Sequence, residues 1–149
     1  MNASAQALSI SIVSKIANIS VIVQEQFPSV NVDFSPWLLN EQEQKQFDPD
    51  SIDIAFSFPT WQPPLSCGCL LLQVYLDGDI QSPKRRVRKI KLTGHNLQGQ
   101  HWRFSTHSNC QFSGSCVPSP EGQQQLKSVI TKLHTLFGNA VPFPLQQDA

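Results

Sequence analysis

The sequence predicts an α+β domain, an antiparallel sheet of about four to five strands flanked by an N-terminal and a C-terminal helix. Three observations carry this reading. Apolar residues recur at helical spacing near both ends of the chain. Between them, short segments alternate apolar and polar residues with the period of a strand. The connections between those segments are short and turn-rich, which favours antiparallel neighbours over the long crossovers of a parallel sheet. At 149 residues the chain fits a single domain, 1–149, with 139–149 as an exposed tail.

The first element runs from about Ser4 to Gln26. Leu8, Ile12, Ile16, Ile19 and Val23 form one helical stripe, and Ile10, Val13 and Val21 widen it. Phe27-Pro28 ends it, because the residue before a proline avoids the α region. Val30, Val32 and Phe34 alternate as a short strand. Ser35 and Pro36 suit the cap and first position of one helical turn. Asp48-Pro49-Asp50 is a turn. Ile52, Ile54, Phe56 and Phe58 alternate cleanly as a half-buried strand, which Pro59 stops.

"CGCLLLQVYL", from Cys67 to Leu76, is apolar on both faces and reads as a central strand. "RRVRKIKLTG" and "QGQHWRFSTH" read as two more strands of a hairpin, with Trp102, Phe104 and Thr106 inward and His101, Arg103, Ser105 and His107 on a solvated face. Ser108 to Ser119 is a loop. In the last helix Ser119 caps, Pro120 takes the first position and Glu121 adds charge to the first turn. Leu126, Val129, Ile130, Leu133, Leu136 and Phe137 make its apolar face, with His134 at the margin. Gly138 follows its end.

Composition narrows the function. Charged residues are 15% of the chain and the formal net charge is zero, against about 25% charged in an average domain. Gln, Ser and Asn supply the polarity. Such a surface resists association poorly, so a standing partner or a homodimer is expected. The first Lys or Arg is Lys15, so the positive region of a secretory signal is missing, and polar residues interrupt the first apolar stretch. The expected setting is cytoplasmic, with reduced cysteines.

Cys67, Cys69, Cys110 and Cys116, with His95, His101 and His107 near in sequence, raise a zinc reading. The spacing opposes it. Structural zinc sites pair ligands two to four residues apart at a tight turn, whereas one residue separates the first pair here and five the second. The cysteines are read as small apolar fillers, with a zinc-binding or thiol-based protein as the alternative, and no cofactor is expected.

Lys84, Arg85, Arg86, Arg88, Lys89 and Lys91 crowd six of the chain's eleven positive charges into eight residues. A strand cannot bury so many, so an edge or an exposed face is expected. It would dock an acidic partner segment. Nucleic acid is the alternative, with Trp102 and Phe104 as stacking platforms if they face outward, but a pI near 6.9 argues against it. The acids Glu41, Glu43, Asp48, Asp50 and Asp53 would neutralise the basic strand in the fold or across a dimer.

Trp37, Leu38, Leu39, Phe58 and Trp61 stand beside prolines, where preformed loops present aromatic anchors. There is no Gly-rich phosphate loop, nucleophile elbow or metal-protease signature. The reading is a small non-enzymatic protein-binding domain, an adaptor, assembly factor or chaperone-like protein, that holds a peptide segment through Trp37, Leu38, Leu39, Trp61, Arg85, Arg86, Arg88 and Lys89. In its Gln-rich, Trp-Pro-rich texture the chain resembles small cyanobacterial accessory proteins, such as assembly factors of photosynthetic complexes or carboxysomes. That likeness is one of composition and is carried by no motif.

Overall fold

The computed structural model describes residues 1–37, 48–78, 81, 85–107 and 110–138. The expectations for Leu38, Leu39, Lys84, the acids Glu41 and Glu43, and the tail 139–149 lie outside the described residues.

The N-terminal helix is two helices, α1 (Ala3–Gln6) and α2 (Ile10–Gln26). Ser9 divides them: its side chain accepts the Ile12 amide at 3.3 Å, an N-cap that starts a new helix. Ile12, Ile16, Ile19 and Val23 are buried as their spacing predicts. Ile10, Val13 and Val21 do not widen that stripe. They fall on the far side of the helix and face solvent, and Leu8, ahead of the cap, is also exposed. α2 stops at Gln26, just before Phe27-Pro28.

Six strands follow in one antiparallel sheet, in chain order: β1 (Asn31–Asp33), β2 (Ser51–Gln62), β3 (Cys67–Leu76), β4 (Val87–Asn96), β5 (Gly99–Ser105) and β6 (Ser113–Gly114). The strand beyond the expected four to five is β6, two residues inside the segment read as loop, paired to Trp102 and Arg103. β3 is central, as read. β2 does not stop at Pro59. Its ladder with β3 is interrupted between Ser57 and Gln62, so the missing proline N–H costs no ladder bond. The last helix, α3 (Pro120–Leu136), has the predicted cap, Ser119 Oγ accepting the Gly122 amide at 3.2 Å. Gly138 follows with φ of 72°.

Register sorts the sheet into two faces. Ile52, Ile54 and Phe56 lie opposite Val74, Leu72 and Leu70, which in turn lie opposite Ile90, Leu92 and Gly94. Phe104 and Trp102 complete these rows on β5. Trp102 lies over Gly94, where a Cβ would come within 2.2 Å of the indole. These side chains form one core with Ile12, Ile16, Ile19 and Val23 of α2 and Leu126, Val129, Ile130 and Leu133 of α3. The alternate residues make the opposite face, in the rows Ala55–Leu71–Thr93–Arg103 and Gln73–Lys91–Ser105 with Tyr75–Lys89 beside them. Neither α2 nor α3 packs on that face.

β4 is not an edge strand. It lies between β3 and β5. Alternation resolves the conflict with its charge: Ile90 and Leu92 enter the core while Lys89 and Lys91 stand on the open face. The true edges are short, three residues in β1 and two in β6, and the backbone of Met1 and Asn2 pairs along β2 at Asp53. Such short or occupied edges leave little backbone for strand addition. No helix among the described residues is long and apolar enough to cross a membrane.

Candidate functional site on the open sheet face

The first part of the site is a groove of about 650 Å³ between two turns. One wall is an arch. β2 leaves the ladder after Ser57 and rejoins it at Gln62, so the intervening residues bulge. Phe58 turns inward, edge-on to Phe27 with centroids 5.7 Å apart. Trp61 turns outward, 43% exposed, with its ring edge-to-face on His101 at 5.4 Å. The other wall is the β4–β5 hairpin, whose tip Leu97 is fully exposed. Cys69 and His95 form the floor.

The arch is fastened from behind. Pro63–Leu65 form a 3-10 turn that ends on Ser66 in the left-handed region, φ 51°. The Leu65 carbonyl accepts the buried Trp102 indole N–H at 2.7 Å. The Pro64 carbonyl accepts the Ser119 amide at 2.9 Å, and Gly122 packs so closely on it that a Cβ would lie 1.9 Å away. Ser66 Oγ donates to the Val117 carbonyl at 3.0 Å. Core and α3 together therefore hold the turn that follows Trp61.

The floor is kept neutral. Burial, and then the neighbouring His101, lower the His95 pKa, and its Nε2 lies 2.7 Å from Thr93 Oγ1. Burial, and then Asp33, raise the Cys69 thiol. Burial, and then Cys69, push Cys67 up to about 12, so it is a thiol rather than a thiolate nucleophile at neutral pH. Burial raises Cys110 as well, and Cys116 is exposed on the far loop. Among the described residues no group of three or more His, Cys, Asp or Glu side chains could hold a metal ion.

The second part is a groove of about 520 Å³ where β4, β5 and β6 meet. Lys89, Lys91, Arg103 and His107 line it with Ser105, Gln111 and Ser113 and with Phe104 and Phe112 from the sheet's edge, and no acidic residue is among its described lining. Lys89 Nζ also lies 4.5 Å from the Tyr75 ring centroid. Arg103 Nε donates to Ser113 Oγ at 3.4 Å.

The basic run therefore divides. Lys89 and Lys91 reach the open face. Arg88 instead pairs with Asp48 at 3.1 Å and lies 5.6 Å from the Tyr75 ring, which is the expected neutralisation by the acidic segment. Arg85 and Arg86 precede β4, Arg85 with its guanidinium against Gly78. Trp37 is not an outward anchor. Its indole donates to buried Asp53 at 2.7 Å and its backbone amide to Asn2 Oδ1 at 2.9 Å. Trp102 and Phe104 are buried in the core, so they offer no stacking platform. Leu97 and Arg103 escaped sequence reasoning. The signal for Leu97 was an apolar residue at a hairpin tip, where polar residues are the rule. The signal for Arg103 was strand pairing, which brings it beside the Lys91 row.

Residues 4–139 match a family described as a domain of unknown function. The chain belongs to that family. No curated protein and no solved structure matches it. The family's match spans α2, α3 and all six strands, so both grooves lie inside the family domain.

Proposed function

We propose that this is a non-catalytic, cytoplasmic protein-binding domain, an adaptor or assembly factor, that holds an extended segment of a partner protein on its open sheet face. The observation that carries the reading is the groove between Trp61 and Leu97. Two large apolar side chains, Trp61 beside the fastened turn and Leu97 on the hairpin tip, stand exposed and line one groove with Cys69 and His95. A monomer gains nothing from that exposure, whereas aromatic anchors on rigid supports are what binding hot spots use. The nucleic-acid reading keeps the basic groove but loses its stacking residues to the core.

The test is affinity capture from the lysate of the organism that makes the protein, with the wild-type chain and the Trp61→Ala/Leu97→Ser variant side by side. The proposal expects a stoichiometric protein on the first and its loss from the second. Capture that is unchanged in the variant, or no stoichiometric protein on either, contradicts it.

A further inference from the structure

The two grooves open along β4 at a fixed separation, and that separation constrains the ligand. His95, on the floor of the apolar groove, and Lys91, in the basic groove, are four residues apart on β4, and Lys89 is six away. At roughly 3.4 Å per strand residue these spans are about 14 and 20 Å. Arg103 lies one strand over, in the register that pairs Thr93 with Arg103. Among the described residues Lys89, Lys91 and Arg103 enter no ion pair; the two ion pairs found there use Met1 with Asp53 and Arg88 with Asp48. The face is polarised as well. Asp33 stands at the β1 end of the row that finishes on Arg103, so positive charge gathers on one side only.

We infer that the partner segment carries an apolar side chain for the Trp61–Leu97 groove and acidic side chains about four to six residues away, which sit on Lys91 and Lys89, with the Arg103 guanidinium beside them on the neighbouring strand. An extended peptide rises by nearly the same amount per residue as β4, so its spacing matches the strand beneath it. The arginine fork suits a carboxylate, and the two lysines add charge on the same side. This inference rests on the reading of the open face as a peptide-binding surface, and it can fail separately.

The experiment uses the full chain and synthetic fluorescein-labelled peptides in a Ser/Thr background. Each peptide holds one tryptophan and two adjacent glutamates at an offset of one to eight residues, with glutamine controls. Fluorescence anisotropy should show tightest binding at offsets of four to six. The glutamate peptides should lead their controls by about three- to tenfold, as a few solvent-exposed ion pairs would give. Lys91→Glu with Arg103→Glu should erase that lead and leave the glutamine peptides bound as before. Trp61→Ala should weaken both kinds. Glutamate and glutamine peptides that bind alike, or an optimum at another offset, overturn the inference while the open-face reading stands. A series in which no peptide binds overturns both. If a single-stranded oligonucleotide binds the basic groove more tightly than the best peptide, with loss in the Lys91→Glu/Arg103→Glu chain, the anionic partner is a nucleic acid and the inference is wrong.

Discussion

The helix-covered face of the sheet and its open face are built from the same strands, one residue out of phase. On the covered face, Ile54, Leu72, Ile90, Trp102 and Phe104 are almost fully buried and every row continues into α2 or α3. On the open face, β3 carries Cys69, Leu71, Gln73 and Tyr75, while its neighbours carry Thr93, Lys89, Lys91 and Arg103. A sheet face that meets only water is usually polar along every strand. Here the middle strand is apolar except for Gln73, and one side is cationic. Packing explains the covered face completely. The open face has a composition that packing does not require, and the proposed peptide site would use it.

Substitutions should separate the two faces. Trp102→Ala should have the largest effect. It empties a buried indole site and leaves the Leu65 carbonyl without its donor, a loss of about 3–5 kcal/mol in urea denaturation. Gly122→Ala comes next. Its methyl would press on the Pro64 carbonyl and should cost about 1–3 kcal/mol. Because that carbonyl also fastens the arch, the same variant should shift the Trp61 fluorescence. Trp61→Ala should cost about 1 kcal/mol or less, since it removes one ring contact at a half-exposed site. Lys91→Ala and Arg103→Ala should fall within about 0.5 kcal/mol of wild type. A large loss at either cation would mean that the open face is structural, and the comparison would collapse.

The smallest effect is a pH dependence. His95 has a folded pKa below its unfolded value, because burial and His101 disfavour the imidazolium. The stabilisation this implies is present above the ordinary histidine pKa near 6.5. It is lost as pH falls through the lower folded value, since the unfolded chain then binds more protons. His95→Gln should flatten the stability profile below about pH 6.5, measured as denaturation midpoint against pH. An unchanged profile would show that His95 is not held neutral by the floor of the groove.

Much of the covered face was legible from local pattern. The stripe Ile12, Ile16, Ile19, Val23, the alternation Ile52 to Phe58 and the Ser119-Pro120 start of α3 each state their partner face within a few residues. What escaped was non-local. Ser9 could not be read as a divider, because a serine within an apolar stripe is ambiguous until its side chain is seen to cap. For β4 the charge count allowed an edge or an exposed face; only strand pairing decides for the exposed face of an inner strand, where alternation keeps Lys89 and Lys91 solvated. The candidate site was only half legible. Trp61 and Lys89 were named, but the turn that follows Trp61 depends on α3, some sixty residues away in sequence, and Leu97 and Arg103 join the site only through strand pairing. Trp37 looked equivalent to Trp61 in sequence. Asp53, reached only in the fold, turns it inward.

The central claim is that the open face binds and the covered face does not. The most direct measurement is an amide NMR titration of the full chain with the tryptophan–glutamate peptide of five-residue offset. Shift changes should concentrate at Gly68, Cys69, Lys91, Thr93, His95, Leu97 and Arg103, with the core residues of α2 and α3 unmoved. Changes centred on the exposed side of α2, at Ile10, Val13 and Val21, would contradict the account, and so would a titration that moves no residue of the sheet.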